Sequence, residues 1–173
     1  MSAYARACGL SLLKAKTLAV GSYSLVLDGL AQEAGALMRP MIEYTELLTY
    51  FRLRPDMVDS ALNNSLPKAG ERAKAIGGIY KAFREHLNAH ASHSAFSDFA
   101  LSHLIDPATH SFKKLQHMVP SVLDRNLVDL VVQLHLLLQE AVLSLEPVAP
   151  VDLAAIVHDT DQLKARLFKV FSL

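Results

Sequence analysis

The sequence predicts an all-α protein: an antiparallel helical bundle of four long helices plus short helices, in a single domain spanning residues 1–173. Three observations lead there. Only seven Gly and seven Pro interrupt 173 residues, so the segments between breakers are long. Within those segments apolar side chains recur at i, i+3, i+4 and i+7, the period of a helix with one buried face. Strand-like alternation is nearly absent, and only Thr109 to Val119 is compatible with it. An apolar fraction of 51%, a charged fraction of 20% and a mean hydropathy of +0.24 exclude a disordered chain. The length suffices to bury one sizeable core.

The first helix is expected from about Ala3 to Val20, with a break at Gly21-Ser22 and Ser22 placed to cap the next helix. The second runs from about Tyr23 to Leu53 on the stripe Leu27, Leu30, Ala34, Leu37, Met41, Tyr44, Leu48 and Phe51. Pro40 should kink it by removing a backbone N–H. Pro55-Asp56 ends that helix and begins a short one reaching about Asn64, and Asn63 to Pro67 is a loop. A helix from about Lys68 to Ala91 comes next, with Ala75, Ile79, Ala82, Phe83 and Leu87 on its apolar face and Gly77-Gly78 as a point of close packing or weakness. Ser92 to Pro120 is irregular, with a short helix around Phe96 to Ile105 and a turn at Asp106-Pro107-Ala108-Thr109. Ser121 with Asp124 resembles a capping box that opens a helix from about Val122 to Leu145. The linker Glu146 to Pro150 leads to a last helix, from Asp152 to about Phe171, whose Lys164, Arg166 and Lys169 suit the negative end of its dipole.

Composition also bounds compartment and chemistry. One cysteine, Cys8, excludes a disulfide framework and a cysteine zinc site and reads as a small buried residue. Gly9 to Leu13 is too short for the apolar region of a signal peptide. Leu127 to Leu145 is interrupted by Asp129, Gln133, His135, Gln139 and Glu140, so it reads as a buried core helix and not a membrane span. A soluble cytoplasmic protein with no membrane contact is expected. Lys+Arg and Asp+Glu balance at 17 each, which excludes a globally basic nucleic-acid surface.

The balance conceals an asymmetry. Between Lys68 and Met118 seven basic residues face four acidic ones, an excess of +3, and six of the eight His (86, 90, 93, 103, 110 and 117) fall there. His86, His90 and His93 share one helical face at i, i+4 and i+7, a spacing that imidazole metal sites use. The Glu of His-Glu-x-x-His is missing, but Glu43 or Glu46 is available as a carboxylate. The plain alternative is a set of polar-face histidines with no ligand. His135, amid valines and leucines, reads as a satisfied core histidine, and Arg39 with Glu43 as a local i, i+4 ion pair. No Gly-rich phosphate loop or nucleophile elbow occurs.

Arg84 and His90 have the form Arg-x5-His, with Ser92 and His93 just beyond. With Arg39-Pro-Met-Ile-Glu43 and Leu47-Leu48-x-Tyr50-Phe51 upstream, the chain resembles the HEPN domains (higher eukaryote and prokaryote nucleotide-binding), helical modules of bacterial toxin–antitoxin and defence systems. The resemblance spans roughly residues 5 to 100 and the helix from Val122 to Leu145. At the position after Arg this chain has Glu85, where the signature has Asn, Asp or His. The resemblance implies RNA as ligand, a homodimer with the cleft at its two-fold axis, an antitoxin partner, and no cofactor. In metal-independent RNA cleavage His90 would act as acid or base and Arg84 would clamp the phosphate. Asn88, Ser92 and His93 would contact substrate. Two alternatives stand beside it: a non-catalytic helical module that dimerises or binds a partner through its apolar stripes, and a metal-binding bundle using His86, His90 and His93.

Overall fold

The computed structural model describes residues 1–90, 101, 104–106, 108–113, 120–148 and 153–171. Helices α1 (Ala3–Leu27) and α2 (Ala31–Leu53) form an antiparallel hairpin. Ser2 caps α1, its hydroxyl accepting the Ala5 N–H at 3.1 Å. The break expected at Gly21-Ser22 does not occur. A Cβ on Gly21 would stand 3.0 Å from Leu37 Cδ1, and the buried Ser22 hydroxyl donates to the Ala34 carbonyl at 3.1 Å. These small residues therefore mark a close crossing of α1 and α2. The chain reverses instead at Asp28-Gly29, where Gly29 has φ +78°, a left-handed conformation that costs glycine little. Helix α2 continues through Pro40.

After a single 3₁₀ turn at Pro55–Met57 come α3 (Val58–Leu62) and α4 (Ala69–Ala75). Glu71 reaches back to the Lys68 N–H at 2.9 Å and holds the start of α4. The long helix expected from Lys68 to Ala91 is two helices. Gly77 and Gly78, at φ +75° and +67°, break it, and α5 (Lys81–His90) begins afresh. Two further helices complete the order, α6 (Pro120–Leu145) and α7 (Leu153–Phe171). Among the described residues there is no strand, only an isolated antiparallel bridge between Ile105 and Phe112; the fold is all-α.

The core lies where α1, α2 and α6 meet, around Val26, Met38, Met41, Ile42, Leu48, Phe51, Leu130 and Leu137, with Leu87 of α5 added from one side. Helix α6 presents a polar stripe to this core. Asn126 Nδ2 donates to the Ala31 carbonyl, Gln133 Nε2 to that of Met38, and Ser144 Oγ to that of Leu48, at separations of 95, 95 and 96 residues. A constant separation means that α2 and α6 run parallel, a departure from a fully antiparallel bundle. The excursion through α3, α4 and α5 returns the chain to the end at which α2 began. Helix α7 packs back antiparallel on α6: residues from Thr160 to Phe168 share one cavity lining with residues from Val131 to Leu138, and residues from Val157 to Asp161 another with residues from Leu138 to Leu143. Ile156, Val157, Leu163 and Phe168 of α7 remain exposed.

Candidate functional site

Helix α5 holds the residues singled out by the Arg-x5-His motif, and ion pairs to two neighbouring helices set its position. The Arg84 guanidinium grips the carboxylate of Glu46 on α2 with two nitrogens, Nε to Oε1 at 3.2 Å and Nη2 to Oε2. The two side chains are only 17% and 3% exposed. A forked pair of this kind satisfies the guanidinium edge that a phosphate would need. Beside it, the Tyr80 hydroxyl lies 3.4 Å from Thr49 Oγ1, and burial pushes the Tyr80 phenol up to about 12. On the other side of α5, His86 Nε2 lies 3.1 Å from both oxygens of Asp129 on α6, with the Phe83 ring stacked on the imidazole at 6.0 Å.

A second ion pair joins α2 to α6, the single Arg52 Nη2 meeting both Glu140 oxygens at 3.2 and 3.0 Å. Close by, burial pushes the Tyr4 phenol up to about 12 and raises the Cys8 thiol above its ordinary value. The interior thus has a layer of paired charges and buried hydroxyls that ties α5 and α6 onto α2.

Arg84 and Asn88 are the expected catalytic and substrate-contacting residues whose side chains fall among the described residues. Arg84 is engaged by Glu46. Asn88 is exposed on α5. His90 is the last residue of α5, and at 3.6 residues per turn positions 84 and 90 stand about 120° apart around the axis. The His90 side chain, Ser92 and His93 lie outside the described residues. Of the histidine set considered for metal, His86 is held by Asp129, and no group of three or more His, Cys, Asp or Glu gathers among the described residues. The expected Arg39–Glu43 pair is not formed. The ion pairs among the described residues are Arg52–Glu140, Arg54–Asp56, Lys81–Glu85, Arg84–Glu46 and His86–Asp129. Glu85, the neighbour that departs from the motif, therefore pairs with Lys81 at the surface.

Sequence reasoning missed Glu46, Asp129 and Glu140 as the partners. A signal was present for Glu140, whose helical neighbours Leu136, Leu137 and Leu143 are apolar, and a buried charge needs a partner; Glu46 and Asp129 have polar neighbours on their own helices and gave no such signal. The chain matches no family model, no curated protein and no solved structure.

The outer face of α1 is the other conspicuous feature. Leu10, Leu13, Thr17, Val20, Ser24 and Leu27 repeat at alternating steps of three and four along one exposed seam, with Leu13 62% and Val20 57% exposed. The Thr17 and Ser24 hydroxyls donate to the carbonyls of Leu13 and Val20 within the helix, so these positions can be covered without stranding a polar group.

Proposed function

We propose that this chain is a helical interaction module that self-associates through the outer face of α1, and that Arg84 serves structure and not phosphate chemistry. The observation behind the reading is the α1 seam. Its 3–4 spacing is the period that lets two helices stay in register. Its large residues, Leu13, Val20 and Leu27, alternate with the small Thr17 and Ser24. An antiparallel copy centred between Leu18 and Ala19 sets Leu13 against Ser24 and Thr17 against Val20, large against small, with Leu10 against Leu27 at each end. Charge favours the same direction. Arg6, Lys14 and Lys16 all lie in the first part of α1, and Asp28 caps its end. Antiparallel pairing moves the cations away from their own copies toward the negative helix end. The forked Arg84–Glu46 pair supports the other half of the reading.

Light scattering on the intact chain tests it. A dimer is expected, and Leu13→Glu with Val20→Glu should yield a folded monomer of unchanged helicity. A wild-type monomer at high micromolar concentration overturns self-association. By length and composition α1 and α6 also qualify as bilayer-crossing helices. Recovery of the wild-type protein with phospholipid vesicles, abolished by the same substitutions, would give the seam to a membrane and overturn the proposal. RNA cleavage that disappears on His90→Ala would overturn the non-catalytic assignment.

A further inference from the structure

A cleft of about 410 Å³ opens between α1, α2 and the α3–α4 connection. We infer that it binds a small organic anion, an oxyanion headgroup on a compact apolar body.

Its rim is cationic. Arg6 and Lys14, two turns apart on α1, line one wall, and Arg72 of α4 lines another. Arg72 is held in place by its Nη1, which donates to the Pro67 carbonyl at 2.6 Å, while its Nε is buried with no hydrogen-bond partner. Among the described residues none of these three cations has a carboxylate within ion-pair distance, whereas Arg52, Arg54 and Arg84 each hold one. The single carboxylate on the lining is Glu43, so the cleft keeps an excess of two positive charges. Cations gathered on a concave, low-dielectric wall repel one another and focus a positive potential. An anion placed among them relieves the repulsion.

The floor is apolar. Leu10, Pro40, Tyr44, Leu47 and Leu62 supply apolar surface to the lining, so the ligand should present hydrocarbon beside its charge. The volume lies in the range of small-molecule sites, which combine an apolar lining with a few polar groups that fix orientation. Glu43 disfavours a second negative charge at its end of the cleft. The cleft shares Leu10 with the end of the α1 seam, and the Arg72 and Lys14 variants read the cleft without touching Leu13 or Val20.

Titration of the intact protein with octanoate, octyl phosphate and octanol, followed by isothermal calorimetry, provides the test. At least one anion should bind one per chain, and octanol should bind at least tenfold more weakly; the better anion identifies the headgroup. Lys14→Gln, at an exposed position that does not endanger folding, should weaken binding severalfold, and Arg72→Met at least tenfold. Octanol binding as tightly as the anions, affinity unchanged in Lys14→Gln and Arg72→Met, or no anion binding at millimolar concentration would each overturn the proposal.

Discussion

Replacing Arg84 with methionine keeps the length and apolar stem of the side chain but strands the Glu46 carboxylate. Glu46 is 2% exposed and has buried Thr45 and Thr49 near it on α2. Removing one partner of a buried ion pair costs about 3–5 kcal/mol, because the remaining charge is left without compensation. Domains are stable by only about 5–15 kcal/mol, so this is a large share. For a chain of this length each kcal/mol moves the melting temperature by about 2–4 °C, giving a fall of about 6–20 °C at pH 8. The loss should depend on pH. An unpaired buried carboxyl escapes the penalty by staying protonated, which raises its folded-state pKa. The defect is then absent below the ordinary carboxyl value of about 4.3 and grows as pH rises through the raised folded value. Urea unfolding followed by circular dichroism at pH 4.5 and pH 8 reads both effects. Adding Glu46→Gln should restore most of the stability at pH 8. A cost under about 1 kcal/mol at pH 8, typical of a surface pair, or no rescue by Glu46→Gln would refute the structural role of Arg84.

Three other outcomes rest on particular residues. Gly77→Ala should destabilise by about 1–2 kcal/mol, since φ is +75° there and open space surrounds the added methyl; in a continuous helix the same change would stabilise by about 1 kcal/mol, so the sign of the shift in a melting curve decides between a break and a helix. Cys8 is fully buried and its thiol is raised by desolvation, so Ellman's reagent should label it only in denaturant; rapid labelling of the native protein would contradict that packing. Burial first, and then Lys164, hold His135 below its ordinary value, with Asp161 opposing. The contact of α6 with α7 is therefore at full strength above about pH 6.5 and weakens as pH falls through the lowered value. His135→Phe should remove that dependence, as followed by proteolysis of α7 between pH 7.5 and 5.

The helical class was legible because the apolar period persists over whole segments. The places of reversal were harder to read. Glycine at position 21 and glycine at position 29 look alike in sequence, yet one lets Leu37 approach and the other takes a left-handed turn. Local composition cannot separate close approach from reversal, because the first depends on a residue on another helix. The charge around the candidate site was hard to read for the same reason. The +3 excess between Lys68 and Met118 is a local sum, and two of its groups are answered from outside it, Arg84 by Glu46 and His86 by Asp129. Arg84 was noticed for its spacing to His90, whereas its buried partner, Glu46, lies 38 residues upstream. Gln133 and Glu140, seven residues apart, were visible as interruptions of an apolar helix; their meaning, with Asn126, as a stripe of contacts to α2 required the fold.

The parallel course of α2 and α6 divides the chain into a frame and a detour. The frame helices α1, α2 and α6 carry their own register marks, since a slip of one turn would move Asn126 and Gln133 off the carbonyls they meet. Loop closure depends only weakly on length, each doubling costing about 0.6 kcal/mol, so the detour can lengthen or diverge at small cost to the frame. Its fixed obligations are those of α5 and the residue before it: a cation for Glu46, an imidazole for Asp129 and the buried side chains of Tyr80 and Leu87 for the core. A minimised version of this protein that deletes α3 to α5 should therefore fold only when Glu46 is neutralised and the apolar face left by Tyr80 and Leu87 is covered in the same step.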